Sequence, residues 1–219
     1  MADVSQSTTI KVAVAQIEPE WLDLQASVTK TCRFIKEAAD NGARIVAFAE
    51  AHIPGYPAWI MQGKTLSDPM NTELHIDYIK NSLVVDSPEM RRIQACAADN
   101  NIVVVLGFSE NDNHSLFIAQ AIIDIDGKIL LKRRKLKATH FERAIFGDAS
   151  GSSLLNVAPT GIGRRVGVLV CWEHCQPLLK YHTATQREEI HCSGWPPLYP
   201  HKGPELYSMA MEGEDESIP

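Results

Sequence analysis

The chain has 219 residues, 45% of them hydrophobic, and a formal net charge of -6 from 21 basic and 27 acidic side chains. That length and apolar share fit one globular domain with its own core and exclude disorder for the bulk of the sequence. The acidic balance speaks against nucleic acid as a partner, and no stretch approaches the ~18 apolar residues of a membrane span. Residues 1–9 are polar and carry no secretory signal, so a soluble, cytoplasmic protein with a disordered N-terminus is expected. The five cysteines, Cys32, Cys96, Cys171, Cys175 and Cys192, are odd in number and irregularly spaced, which does not read as a disulfide framework.

In chain order, β-branched and small residues over 10–17 predict a buried strand. Val28, Cys32, Ile35 and Ala39 recur at spacings of three and four, the pattern of one helix face, and Gly42 supplies the stop. A strand over 44–50 follows, with the apolar body Ile45-Val46-Ala47-Phe48. Pro54, Gly55 and Pro57 make 51–59 a loop. Ser87-Pro88 opens a second helix whose stripe is Met90, Ile93 and Ala97. Residues 102–108 form a strong strand, and Asp126-Gly127 turns a hairpin between 116–125 and 128–131. Another buried strand, 165–170, runs into Cys171. Alternating strands and helices followed by a hairpin predict a layered α/β fold.

Three positions carry possible chemistry. Cys171 lies where a buried strand meets an expected helix start, whose N-terminus would favour a thiolate; the bland alternative is a small core residue. Glu50 ends a buried strand, which suits a general base with a raised pKa, or else a carboxylate that caps the next loop. Lys135 lies in Lys132-Arg133-Arg134-Lys135-Leu136-Lys137, where strand alternation puts it on the same face as Lys137. It could stabilise a developing anion, held in place by Glu142, or simply belong to a solvated basic edge.

Other constellations are weaker. Cys171, His174, Cys175, His182, His191 and Cys192 lie close in sequence but lack the second knuckle of a zinc site, so no metal is expected. Gly161, Gly163 and Gly167 precede a strand instead of following one, Gly63-Lys64-Thr65 lacks the upstream glycine of a phosphate loop, and no Gly-x-Ser-x-Gly elbow exists.

Taken together, Phe48-Ala49-Glu50, Ile53-Pro54-Gly55-Tyr56-Pro57, Arg134-Lys135-Leu136-Lys137-Ala138-Thr139-His140-Phe141-Glu142-Arg143 and Cys171-Trp172-Glu173-His174 resemble the nitrilase branch of the carbon–nitrogen hydrolase superfamily. Gln176-Pro177-Leu178 and Gly194-Trp195-Pro196 extend the likeness, which covers residues 10–212 and looks closest to fungal nitrilases and cyanide hydratases. The resemblance implies an αββα sandwich and a triad of Glu50 as base, Lys135 as charge stabiliser and Cys171 as nucleophile. Glu142 matches a supporting glutamate, and His52, Trp59 and Trp172 are expected to line the substrate pocket. No metal or organic cofactor is implied. The implied reaction takes an organic nitrile to acid and ammonia through a cysteine thioimidate and thioester. A cyanide hydratase, an amidase, or an inactive fragment that only associates with partners are the alternatives.

Two departures stand out. Ala138 replaces a proline common in relatives, a small change. Relatives also continue well beyond 212, so C-terminal strands are expected to be missing and 213–219 to be a disordered acidic tail. Open sheet edges would then lower stability and favour aggregation. The resemblance also implies a homo-oligomer, a dimer or spiral, through the helix at about 176–187.

Overall fold

The computed structural model describes residues 9–62 and 69–196. Residues 1–8 and 197–219, which include the expected acidic tail and most of the expected N-terminal disorder, lie outside the described residues.

The first sheet has five strands in the order β1 (Val12–Ala15), β2 (Ile45–Phe48), β3 (Val103–Asp112), β4 (Ser115–Ile123) and β5 (Ile129–Arg134). β1, β2 and β3 are parallel, as strands joined by helical crossovers must be; β3, β4 and β5 are antiparallel. The crossovers are α1 (Leu24–Asp40) and α3 (Pro88–Asp99). Asp23 caps α1 by accepting from the Ala26 N–H at 2.9 Å, and Gly42 beyond its end takes φ +81°, a left-handed conformation that glycine adopts without strain. Ser87 caps α3 by accepting from Met90 N–H at 3.1 Å. Val28, Ile35, Met90 and Ile93 are fully buried against Val46, Phe48, Val104 and Leu106, each burial contributing about 2 kcal/mol.

The second sheet has the order β6 (Val157–Pro159), β7 (Arg165–Val170) and β8 (Ile190–Gly194). It lies face to face with the first. Ile45, Val103, Val105 and Ile122 on one side pack on Ala158, Val166 and Val168 on the other. Helix α4 (Pro177–Thr185) packs on the turns at Cys171–Cys175 and Gly151–Leu154, with Leu179 and Thr183 buried. The layer order is helix, sheet, sheet, helix.

Three expectations need correction. Residues 10–17 form an edge strand of four residues, with Val12 and Val14 exposed, because β1 pairs only with β2. A helix that the sequence reading left out, α2 (Pro69–Asn81), covers one end of the first sheet; only Asn71 and Tyr78 are buried on it. Cys171 does not start an α-helix. It opens a short 3-10 turn, and the α-helix begins at Pro177.

Candidate active site

The backbone that carries Glu50 departs from the sheet. Ala47 pairs with Val105, and the next link is the bridge from Ile53 to Phe108, so six residues of one strand span three of the other. The surplus bulges over Gly107. A Cβ at Gly107 would collide with the Ala49 carbonyl oxygen and lie 2.9 Å from its carbon, so only glycine lets the chain pass this close. The bulge turns the Glu50 side chain inward, where it is 1% exposed. Its Oε1 accepts from Lys135 Nζ at 3.0 Å, while Oε2 has no hydrogen-bond partner among the described residues. Burial pushes the carboxyl up to about 7; Lys135 opposes this, and Glu142 and Glu173 add to it.

Lys135 follows β5 directly and is 2% exposed. Its ammonium also donates to Glu142, at 2.9 Å to Oε2 and 3.1 Å to Oε1. Burial alone would depress it, but Glu50, Cys171 and Glu142 outweigh burial and hold it above the usual lysine value, so it stays cationic. Lys137 does not share its face: the strand has ended, and Lys137 reaches solvent and pairs with Asp148. Glu142 sits on a 3-10 turn, His140–Ala144, and its carboxylate accepts from the Thr139 N–H at 2.7 Å as well as from the Tyr56 hydroxyl at 2.8 Å. Burial holds the Tyr56 phenol above its ordinary value, so it remains a donor.

Cys171 ends the strand–turn junction at φ +48°, a conformation strained for a side-chain-bearing residue, and is 6% exposed. Burial, then the Glu50 charge, pushes its thiol up; Lys135 and a backbone hydrogen bond from Trp172 act the other way. The expected depression by a helix N-terminus is absent because no α-helix starts there. One ligand atom each of Glu50, Glu142 and Cys171 lies within 4.8 Å of the others. Two carboxylates and a thiol form a metal-type donor set, but the Lys135 ammonium already bonds both carboxylates and fills the cation position.

The remaining expected pocket residues separate. Trp59 is 8% exposed and packs in one cluster with Tyr78, Val170 and Cys171. Trp172 is half-exposed and lines an open groove of about 690 Å³ with Leu136, Thr139 and Leu178. His52 makes its contacts elsewhere. It stacks on Phe48 at 5.0 Å and bonds Thr31 Oγ1 at 3.2 Å, on the α1 side of the sheet, and burial depresses its pKa to about 4.

Sequence reasoning missed the frame behind these residues. Glu173 Oε1 accepts from Arg133 Nη2 at 2.6 Å and Leu136 N–H at 2.9 Å; Oε2 accepts from Arg133 Nη1 at 2.7 Å and Val170 N–H at 3.1 Å. Arg133 Nη1 also donates to Gln120 Oε1 at 3.1 Å, and Gln120 Nε2 donates to the Leu169 carbonyl at 3.1 Å. This network ties β4 and β5 of the first sheet to β7 of the second. It thereby fixes the strand end before Lys135 relative to the turn that carries Cys171.

The carbon–nitrogen hydrolase family profile matches residues 11–213. Among curated relatives, an arylacetonitrilase of Aspergillus kawachii is 59% identical over 208 residues, covering 94% of this chain and 62% of the relative. One from Aspergillus niger is 58% identical over 205 residues, covering 93% and 61%, and one from Hypocrea virens 57% over 205 residues, covering 93% and 60%. The chain thus spans about three-fifths of these relatives' length. Among solved structures, an amidase of the nitrilase superfamily from Nesterenkonia superposes with TM-score 0.66 at 17% identity, over 93% of this chain and 72% of that one. A carbon–nitrogen hydrolase from Helicobacter pylori gives 0.63 at 14%, over 94% and 64%. These two likenesses establish the shared fold, and the profile match over nearly the whole sequence establishes descent: the chain belongs to the carbon–nitrogen hydrolase family.

Proposed function

We propose that the chain carries a nitrilase site, converting an arylacetonitrile to its carboxylic acid and ammonia with Cys171 as nucleophile, Glu50 as base and Lys135 as charge stabiliser. The observation that carries this reading is the buried, unbonded Oε2 of Glu50. It belongs to a carboxylate poised near neutrality, in the same cluster as the Cys171 sulfur. The names of the similar arylacetonitrilases support the substrate class.

Glu50 takes the thiol proton as sulfur bonds to the nitrile carbon, and that proton passes to nitrile nitrogen, giving a thioimidate. Lys135 donates to the nitrogen as its charge develops. A water, deprotonated by Glu50, adds to the carbon; nitrogen gains protons and leaves as ammonia, and a thioester remains. A second water, activated in the same way, breaks the carbon–sulfur bond, and the thiolate recovers its proton. If thiolate leaves the first tetrahedral adduct instead of ammonia, the product is an amide. The same reading places the protein as a homo-oligomer in the cytoplasm, supported by exposed Leu178 and Tyr181 on α4 and by five free thiols.

The test is ammonia and acid release from phenylacetonitrile, an aliphatic nitrile and cyanide, run beside Cys171→Ala. Release should fall by about 10³-fold or more in the variant. Equal release by both proteins, or none from any substrate by the parent, overturns the reading.

A further inference from the structure

Helices α1 and α3 pack side by side on the outer face of the first sheet, where they bury Val28, Ile35, Met90 and Ile93. Both are crossovers between parallel strands, so they run in the same direction, and the bonds between them keep a near-constant offset along the chain. Gln25 Nε2 donates to Glu89 Oε1 at 2.6 Å, an offset of 64 residues, and Arg92 Nη2 donates to Thr29 Oγ1 at 3.1 Å, an offset of 63. One turn further on, the next rung is a pair of thiols. Cys96 Sγ donates to the Cys32 carbonyl at 3.3 Å, again 64 residues apart, and Cys32 Sγ lies 3.8 Å from the Arg92 carbonyl, one turn before Cys96. Each sulfur rests against the backbone of the opposite helix. Both are half-buried and free. The other three cysteines belong to the second sheet and the turn after β7, across the sandwich.

We propose that Cys32 and Cys96 form a reversible disulfide latch between α1 and α3, closed by exchange with a small-molecule disulfide. Rotation of the two side chains, with little movement of the helices, brings the sulfurs together. One cysteine, as thiolate, attacks a sulfur of the reagent; the reagent's S–S bond breaks, its first thiolate leaves, and a mixed disulfide forms. The second cysteine gives its proton to solvent and attacks the first protein sulfur. The Cys32–Cys96 bond forms, the second reagent thiolate leaves, and both reagent thiolates take up protons. The two protein sulfurs are oxidised and the reagent is reduced to two thiols, so no further oxidant is needed. Contact with Cys96 lowers the Cys32 thiol, burial opposing this and the Arg92 charge adding to it, which suits Cys32 to the first attack. The latch closes the segment between 32 and 96, which carries β2 and the Glu50 bulge. A cross-link over so long a segment removes entropy from the unfolded chain. Neither cysteine belongs to the cluster of Glu50, Lys135, Glu142 and Cys171, so the latch acts on stability whatever the chemistry of that site.

The test treats the full chain with oxidised glutathione and then caps the remaining thiols with iodoacetamide. Digestion without reductant and mass spectrometry should find Cys32 and Cys96 in one linked peptide pair. Calorimetry of the oxidised protein should show a melting temperature about 10 °C higher, and dithiothreitol should reverse both changes. In Cys96→Ala, Cys32 should stop at the glutathione adduct, and oxidation should move the melting temperature by less than about 2 °C. Capped and unlinked Cys32 and Cys96 in the oxidised parent, linkage of either to a different cysteine, or a linked pair that melts no higher than the reduced protein each overturn the proposal with no mutation involved.

Discussion

Replacing Glu173 by glutamine changes no volume and one charge, and the structure says what that costs. Each carboxylate oxygen accepts twice, Oε1 from Arg133 and Leu136 N–H, Oε2 from Arg133 and Val170 N–H. An amide has one such oxygen. Whichever way it turns, its NH2 group meets two donors, and the guanidinium, 0% exposed, loses its counter-charge. Removing one partner of a buried ion pair costs about 3–5 kcal/mol. For a domain of this size about 1 kcal/mol moves the melting temperature by about 2–4 °C, so a fall of about 10 °C is expected. Differential scanning calorimetry with urea titration measures it. Replacing both partners, as Arg133→Met with Glu173→Leu, removes the charges together but still orphans the Leu136 and Val170 amides, at about 1–3 kcal/mol each. The double variant should therefore cost less than the sum of the singles by more than about 2 kcal/mol. If Glu173→Gln melts within about 2 °C of the parent with an unchanged urea slope, the bond between the sheets does not matter as argued.

Gly107→Ala should displace the Ala49–Glu50 bulge, since its Cβ has no room against the Ala49 carbonyl. Nitrile turnover should fall about 10²-fold, the usual consequence of about 1 Å of misplacement, while the fold persists at a cost of about 1–3 kcal/mol; turnover within threefold of the parent refutes it. Glu50 titrates at 4.5 when unfolded and at about 7 when folded. Because the folded value is the higher one, its contribution is fully present below 4.5 and is lost as pH rises through 7, a swing of about 3 kcal/mol. Glu50→Gln should flatten that decline in melting temperature; an identical pH profile in the two proteins would contradict it.

Periodicity and caps make α1, α3 and the central strands legible in the sequence, because their apolar stripes agree with the boundaries at Gly42 and Ser87-Pro88. α2 stayed hidden because its apolar residues do not form one stripe: Met70 and Ile76 face solvent, and only Tyr78 among its large side chains is buried. The placement of Glu50 beside Lys135 and Cys171 follows from pairing across 85 and more residues, which no local pattern encodes. It was reached only through the motif resemblance. Arg133 and Glu173 illustrate the gap. Read locally, Arg133 is one of several cations in a basic run, yet it is among the most buried large side chains because its partner arrives from 40 residues away. His52 shows the opposite gap: it lies two residues from Glu50 in sequence, yet its ring stacks on Phe48 and bonds Thr31 of α1.

The shared ammonium has one more consequence. Two acids lean on a single base, so the cavity has little tolerance for a further negative atom, and sulfur waits there with its hydrogen attached. Peroxide attacks thiolates, not thiols. The buried Cys171 thiol therefore keeps its hydrogen, and an oxidant that needs a thiolate finds little of one there. Surface-lying Cys175, four positions on, is the sulfur that a passing oxidant meets first.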